Sequence, residues 1–302
     1  MHEAMTPCVA TVGFFDGVHR GHQFLVGQLT RLAHQEGMES TVITFDKHPR
    51  QVVNDGYVPE LLNSLEEKMV RLSLTEVDNC VILPFDRDMA ALSAREFMEK
   101  ILVGRLCVKK LLIGYDNRFG HDRTEGFDDY VRYGRELGID VIRYTPLLID
   151  GVGVSSSAVR RLISQGDIEG AEKLLGYPYM LAGTVVEGFQ QGRKLGFPTA
   201  NLQPTCAHKL LPASGVYAVR ARVEHETEMK PAIMNIGMRP TFDGHALTLE
   251  THILNFDENL YGECLLVTFV KRLRDERKFD DIDQLVRQMK KDVKEALKAI
   301  KT

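Results

Sequence analysis

Apolar positions come in short runs separated by amphipathic stretches through the first half of the chain, and the texture changes near residue 176. Val9 to Val12 is a short apolar run of strand type. From Gly21 onward Phe24, Leu25, Leu29 and Leu32 fall on one side of a helix, which Gly37 is placed to stop. Thr41 to Phe45 is β-branched and aromatic, and predicts a second strand. Ser64-x-x-Glu67 and Ser93-x-x-Glu96 are capping-box patterns, opening helices that carry Leu65, Met69 and Leu72, and Phe97, Ile101 and Leu102. Cys80 to Pro84 and Lys110 to Gly114 add strands, and a helix over Phe127 to Leu137 precedes a last one at Ile139 to Tyr144. Short apolar strands alternating with helices predict a Rossmann-like α/β domain, a parallel sheet covered on both faces. Such sheets bind ligands beyond the carboxyl ends of their strands.

Two short helical stretches lead to Gly176-Tyr-Pro-Tyr179, which marks a boundary between domains at 1–178 and 179–302. Leu181 to Glu187, Gly215 to Val223, Lys230 to Ile236, Leu247 to Asn255 and Cys264 to Val270 then read as strands joined by turns. Alternation without intervening helices predicts an antiparallel sheet or barrel. The chain closes on an amphipathic helix with Ile282, Leu285, Met289, Val293, Leu297 and Ile300 at helical spacing, a stripe expected to face the core.

Composition narrows the function classes. A chain of 302 residues has room for two cores. A formal net charge of −4 argues against a general nucleic-acid or acidic-membrane binder, so an anionic substrate must be met locally. The five cysteines are scattered with no Cys-x-x-Cys pair, which fits a reducing compartment and argues against a disulfide framework or a zinc site. No apolar run approaches the roughly 18 residues of a membrane span, and the expected location is the cytoplasm.

Four stretches carry candidate chemistry. Gly13-Phe-Phe-Asp-Gly17 and His19-Arg-Gly21-His22 join the first strand to the first helix, where backbone N–H groups and the helix start favour a phosphate. His19 and His22, three apart, suit the charge that builds during phosphoryl transfer. The same residues also suit an ordinary βα turn bearing two surface histidines. Gly114 to Gly120 follows the fourth strand, and Ser155-Ser156-Ser157 with Arg160 begins a later helix; these are turn and cap chemistry as readily as phosphate donors. Gly192-Arg193-Lys194-Leu-Gly196 supplies glycines and positive charge, and Thr199 and Asn201 two hard oxygens that suit Mg²⁺ with ATP completing the shell. Glu250 lies in an apolar strand, either as an outward carboxylate or as a base.

Gly13 to Gln23 resembles the nucleotidyltransferase signature of the bacterial bifunctional riboflavin kinase/FMN adenylyltransferases, and Tyr115-Asp-x-Arg-Phe-Gly120 and Ser155 to Arg160 are similar to further runs of that family. Gly192 to Asn201 is similar to its riboflavin kinase signature, followed in order by Gly215 to Ala218, Asn235 to Phe242, Glu250 to Phe256, Leu260 to Gly262 and Phe269 to Phe279. Asn117 departs from a commonly aromatic position and Ala158 from a frequently basic one. The resemblance covers nearly the entire chain. It implies an adenylyltransferase domain followed by a riboflavin kinase barrel with its carboxyl-terminal helix. It further implies riboflavin, FMN and two molecules of ATP as substrates, Mg²⁺ as cofactor, and Glu250 as base for the ribityl hydroxyl. Phosphate is then held by Gly13, Phe15, Asp16, Gly17, Gly21, Ser156, Ser157 and Arg160 in the first domain, and by Gly192, Arg193, Lys194 and Gly196 in the second. Asp116, Arg118, Asn235 and Arg239 fall to the flavin. The rivals are a nucleotidyltransferase with a single activity and a flavin-storage protein without turnover.

Overall fold

The structure, a computed structural model, describes residues 6–114, 118–121, 124–187, 196–241 and 244–301, with backbone alone at 239–241 and 244–246. Packing divides the chain into two units, Met1–Ser156 and Ser157–Thr302.

The first unit runs β1 (Cys8–Val12), α1 (Arg20–Gln35), β2 (Glu39–Phe45), α2 (Pro49–Val53), α3 (Leu65–Ser73), β3 (Asn79–Leu83), α4 (Arg87–Ala91) and α5 (Ala94–Glu96). β4 (Val108–Ile113), α6 (Phe127–Leu137), β5 (Asp140–Arg143) and a hairpin of β6 (Leu148–Ile149) and β7 (Val152–Gly153) follow. The sheet is parallel in the order β3-β2-β1-β4-β5. β1 is buried at every position and divides its side chains between two cores: Cys8, Ala10 and Val12 face one, Val9 the other. The order of crossovers reverses between β1 and β4, so a crevice opens just beyond Val12.

Both expected capping boxes form. Ser64 and Glu67 exchange side-chain and backbone hydrogen bonds at the start of α3, as do Ser93 and Glu96 at α5. Gly37, at φ +66°, ends α1. The helix after Ser93 departs from expectation, passing after three residues into a π-helical stretch at Phe97–Val103. Its wider turn suits the spacing of five between Phe97 and Leu102, both buried against the sheet. α2, α4 and the β6–β7 hairpin are too short for periodicity to reveal.

The second unit begins with α7 (Ser156–Gln165) and α8 (Ile168–Leu175), and continues as β8 (Met180–Val186), β9 (Ala200–Pro204), β10 (Gly215–Val223), β11 (Lys230–Thr241), β12 (Gly244–Ile253) and β13 (Cys264–Arg274). A final helix, α9, spans Ile282–Lys301. The strands close a barrel in the order β10-β11-β12-β9-β8-β13. Alternate residues of β8 and β13 point inward, and Phe269 meets the ring edge of Tyr217 at 5.4 Å in the interior.

α7 and α8 pack with the barrel. Ala213 donates its N–H to the Ile163 carbonyl, Lys271 pairs with Glu169, and α8 buries Ile168, Ala171 and Leu175. The ion pair is exposed and adds little; the apolar face of α8 matters more. A fragment beginning at Ser157 is therefore expected to outlast one beginning at Met180 in urea, by about 3 kcal/mol for two large aliphatic side chains. Equal unfolding midpoints would show that the helix pair contributes nothing to the barrel.

Candidate active sites

In the first unit the chain leaves β1 through a tight turn in which Phe15, Gly17 and Val18 all have positive φ (53°, 83° and 32°). Two of these are not glycine, a strained arrangement of the kind that gathers at ligand sites. Asp16 holds the turn: its buried carboxylate accepts the backbone N–H groups of Leu62 and Asn63 at 3.0–3.2 Å. The hydroxyl of Ser156 donates to the Asp16 carbonyl at 2.8 Å. Both residues, expected at a phosphate, thus tether the loop.

His19 is the cap of α1 and not a member of the helix. Its Nδ1 accepts the N–H of His22 at 3.3 Å, which leaves the ring proton on Nε2 when the ring is neutral. The two imidazoles stack with centroids 3.7 Å apart, and His22 meets the ring of Phe15 at 5.1 Å. Burial, then the neighbouring His19, then the charge of Lys68 hold His22 well below the usual imidazole range, so it is neutral at physiological pH. Its Nδ1 is buried and has no hydrogen-bond partner among the described residues. Gly21 is required here because a Cβ would sit 3.1 Å from both the His19 ring and the Val154 carbonyl. Gly13 likewise leaves room for the Phe15 ring.

Sequence reasoning passed over Lys68. It lies on the apolar stripe of α3 with Leu65, Met69 and Leu72, and that misplaced charge was the available signal. Only 3% exposed, its Nζ donates to the carbonyls of Phe14 (3.1 Å) and Phe45 (2.9 Å) and to the Thr44 hydroxyl (3.1 Å). Asp46 accepts the N–H of Phe85, and His48 caps α2. Arg118 is exposed; Asp116 and Asn117 lie outside the described residues. Ser157, exposed, and Arg160, half-buried, belong to the second unit.

In that unit strand register gathers the other candidates. Asn201 of β9 lies opposite Glu250 of β12, Glu250 opposite Asn235 of β11, and Asn235 opposite Val216 of β10. Directly opposed residues share a face of the sheet. Thr199, Asn235 and Glu250 line a cavity of about 270 Å³. The His252 ring nitrogen bonds the Pro198 carbonyl at 2.7 Å and its ring meets Phe197 at 5.4 Å, fixing the segment that delivers Thr199. Gly192, Arg193 and Lys194 lie outside the described residues, as does the side chain of Arg239; Gly196 is exposed in a turn at φ +80°.

The far wall of the cavity comes from Phe279 and from Leu285, Met289 and Val293 of α9. The helical stripe, expected to face the core, also lines this ligand-sized space through Leu285, Met289 and Val293. Asp292, 2% exposed, anchors that helix: it receives Arg274 Nε at 3.1 Å and a second guanidinium nitrogen at 2.8 Å, with Gln288 adding a third donor. Gly237 admits the carboxylate of Glu276, whose oxygen would lie 2.3 Å from a Cβ there. Replacing Asp292 by Ala strands a partly buried guanidinium and is expected to cost about 3–5 kcal/mol, read by thermal or urea unfolding. A loss under 1 kcal/mol would mean the pair is not the anchor.

Thr199 and Asn201 offer neutral hard oxygens, and no cluster of three or more His, Cys, Asp or Glu among the described residues can cage a metal. That donor set fits a magnesium ion whose shell is completed by nucleotide and water, and does not fit a tightly held transition metal.

Comparison with known proteins places both halves. The family profile for FAD synthetase matches residues 1–158 and that for riboflavin kinase residues 175–300. A bifunctional riboflavin kinase/FMN adenylyltransferase of Haemophilus influenzae is 36% identical over 96% of this chain and 93% of its own. The Escherichia coli K12 protein of that name is 37% identical over 94% and 90%. A crystal structure from Streptococcus pneumoniae, called a macrolide-efflux protein, superposes with a TM-score of 0.84 at 32% identity, covering 95% of this chain and 92% of its own. No helix among the described residues of the present chain is long and apolar enough to cross a membrane. Matches to both family profiles, in this order and at this coverage, assign the chain to the bifunctional riboflavin kinase/FMN adenylyltransferase family.

Proposed function

We propose that the two reactions of the family occupy separate sites: phosphorylation of riboflavin in the barrel cavity, and adenylylation of FMN at the β1–α1 turn. The chain converts riboflavin and ATP to FMN, and FMN and a second ATP to FAD and pyrophosphate. The observation that carries the assignment is the register that sets Glu250 between Asn201 and Asn235, with Glu250 and Asn235 lining a cavity also lined by Phe279, Leu285, Met289 and Val293. A flat apolar ring suits the apolar lining and a polyol suits the polar groups.

In the barrel, Glu250 accepts the proton of the terminal ribityl hydroxyl as that oxygen attacks the γ-phosphorus of ATP and ADP leaves. Asn235 and Arg239 hold the flavin, and Gly192, Arg193, Lys194 and Gly196 the nucleotide. Thr199 and Asn201 would hold Mg²⁺, which would supply charge neutralisation at the phosphates. At the first site the FMN phosphate attacks the α-phosphorus and pyrophosphate departs. His19 and His22 donate to the developing charge, the turn from Gly13 to Gly21 gives backbone N–H groups, and Ser156, Ser157 and Arg160 add donors. Asp116 and Arg118 hold the flavin there. The phosphate nucleophile is already anionic, so no covalent enzyme intermediate forms.

The functional boundary lies at Gly176–Tyr179, giving domains 1–178 and 179–302. The working location is the cytoplasm, which suits five free thiols, with small molecules and neither nucleic acid nor membrane as partners. Incubation with riboflavin, ATP and Mg²⁺ followed by chromatography of the flavins tests the whole: FMN and FAD are expected. FAD from supplied FMN alone would indicate a single activity, and bound unchanged riboflavin a storage protein.

A further inference from the structure

We infer that Lys68 is a positioning residue for adenylyl transfer, a buried cation that holds the Phe14 carbonyl and thereby the strained turn from which His19 and His22 are presented. The inference rests on the reading of that turn as the adenylyl-transfer site.

Its hydrogen bonds carry the argument. One ammonium bridges the chain just past the end of β1, through the Phe14 carbonyl, and the end of β2, through the Phe45 carbonyl and Thr44 hydroxyl. Thr44 donates in turn to the Phe14 carbonyl at 3.2 Å. Phe14 directly precedes Phe15, where the backbone turns to positive φ, and the Phe14 ring lies 4.2 Å from the ammonium. A structural methylene stem would need no charge in this place, and an isolated buried ammonium is costly. Retaining it makes sense where a polyanion binds nearby, because a fixed positive charge in a poorly solvated site acts on phosphate without reorganising.

The groups facing Lys68 are Asp16 and Phe14 from the turn, Thr44 and Asp46 at the end of β2, Cys80 of β3, and His22 of α1. Burial lowers the ammonium to about 8, against the opposing pull of Asp16, Cys80 and Asp46. The sign follows directly. Lys68 is charged below pH 8 and loses its proton as the pH rises through that value, so kcat/KM for FMN adenylylation should fall on the alkaline side from about pH 8. Its charge also helps keep His22 neutral, so removing it should move any acid limb due to His22 to higher pH.

The test compares wild type, Lys68→Arg, Lys68→Met and His22→Ala in FAD formation from supplied FMN between pH 5.5 and 9.5, with riboflavin phosphorylation measured alongside. Lys68→Arg should keep most of the neutral-pH rate and carry the alkaline limb upward by a unit or more. Lys68→Met should lose roughly 10²-fold, the scale of a small misplacement of reacting groups, with its acid limb raised. If Lys68→Met does not fold, the wild-type and Lys68→Arg profiles decide alone. Superimposable alkaline limbs in those two, or undiminished FAD formation in a folded Lys68→Met, overturn the inference. Should His22→Ala retain full FAD formation, the site reading itself fails and this inference with it; loss in His22→Ala beside unchanged Lys68 variants refutes only the role of Lys68.

Discussion

Glu250→Gln is expected to lower FMN formation by roughly 10²–10⁴-fold, the usual worth of a positioned proton acceptor, while leaving adenylylation of supplied FMN at its normal rate. The substitution keeps the side chain's length and a hydrogen-bonding oxygen, so the ladder from Asn201 through Glu250 to Asn235 should persist. Riboflavin and ATP should accordingly bind with similar affinity, and the loss should fall on kcat. Fluorescence quenching of riboflavin gives the affinity and chromatography of the flavins gives the rate. A fall of less than tenfold would reduce Glu250 to a substrate-orienting group. A matched loss of both activities in a folded protein would mean that the two sites are not independent.

His22→Ala is expected to act in the opposite compartment: FAD formation from FMN falls by roughly 10²–10³-fold, as for removal of one preorganised donor, and riboflavin phosphorylation continues. The structure adds a reason for the size of the effect. His22 stacks on His19 and packs against the Phe15 ring, so removing its ring also takes away a support of the His19 imidazole. Being held neutral by burial, His19 and Lys68, it needs no protonation event to work at physiological pH. Measured at saturating FMN and ATP, unchanged FAD synthesis would remove His22 from the reaction.

The sequence disclosed most of what repeats and little of what is buried and polar. Strand and helix positions followed from period and caps, as at Ser64–Glu67 and Ser93–Glu96, because local hydrogen bonds decide them. The motif from Gly13 to His22 was legible as a site, yet the division of labour within it was not. Asp16 and Ser156 look like phosphate ligands in one dimension, and only the fold shows that they also hydrogen-bond to Leu62, Asn63 and the loop carbonyl. Lys68 and Asp292 were missed for a common reason. Each stands on the buried face of an amphipathic helix, where a pattern of apolar positions passes over a charge whose partners lie far along the chain. The short strand β9 was hidden beneath its own chemistry, since Asn201 drew attention as a ligand before it could be read as part of a ladder.

Mixing the two variants gives the most direct measurement of the central claim that one chain holds two separate sites exchanging FMN. Glu250→Gln alone, supplied with riboflavin and ATP, should make almost no FMN and hence almost no FAD; His22→Ala alone should accumulate FMN. Together they should form FAD from riboflavin after a lag, at a rate rising with the concentration of either protein, because FMN made by one is adenylylated by the other. FAD formation no greater than the sum of the separate variants would contradict the account.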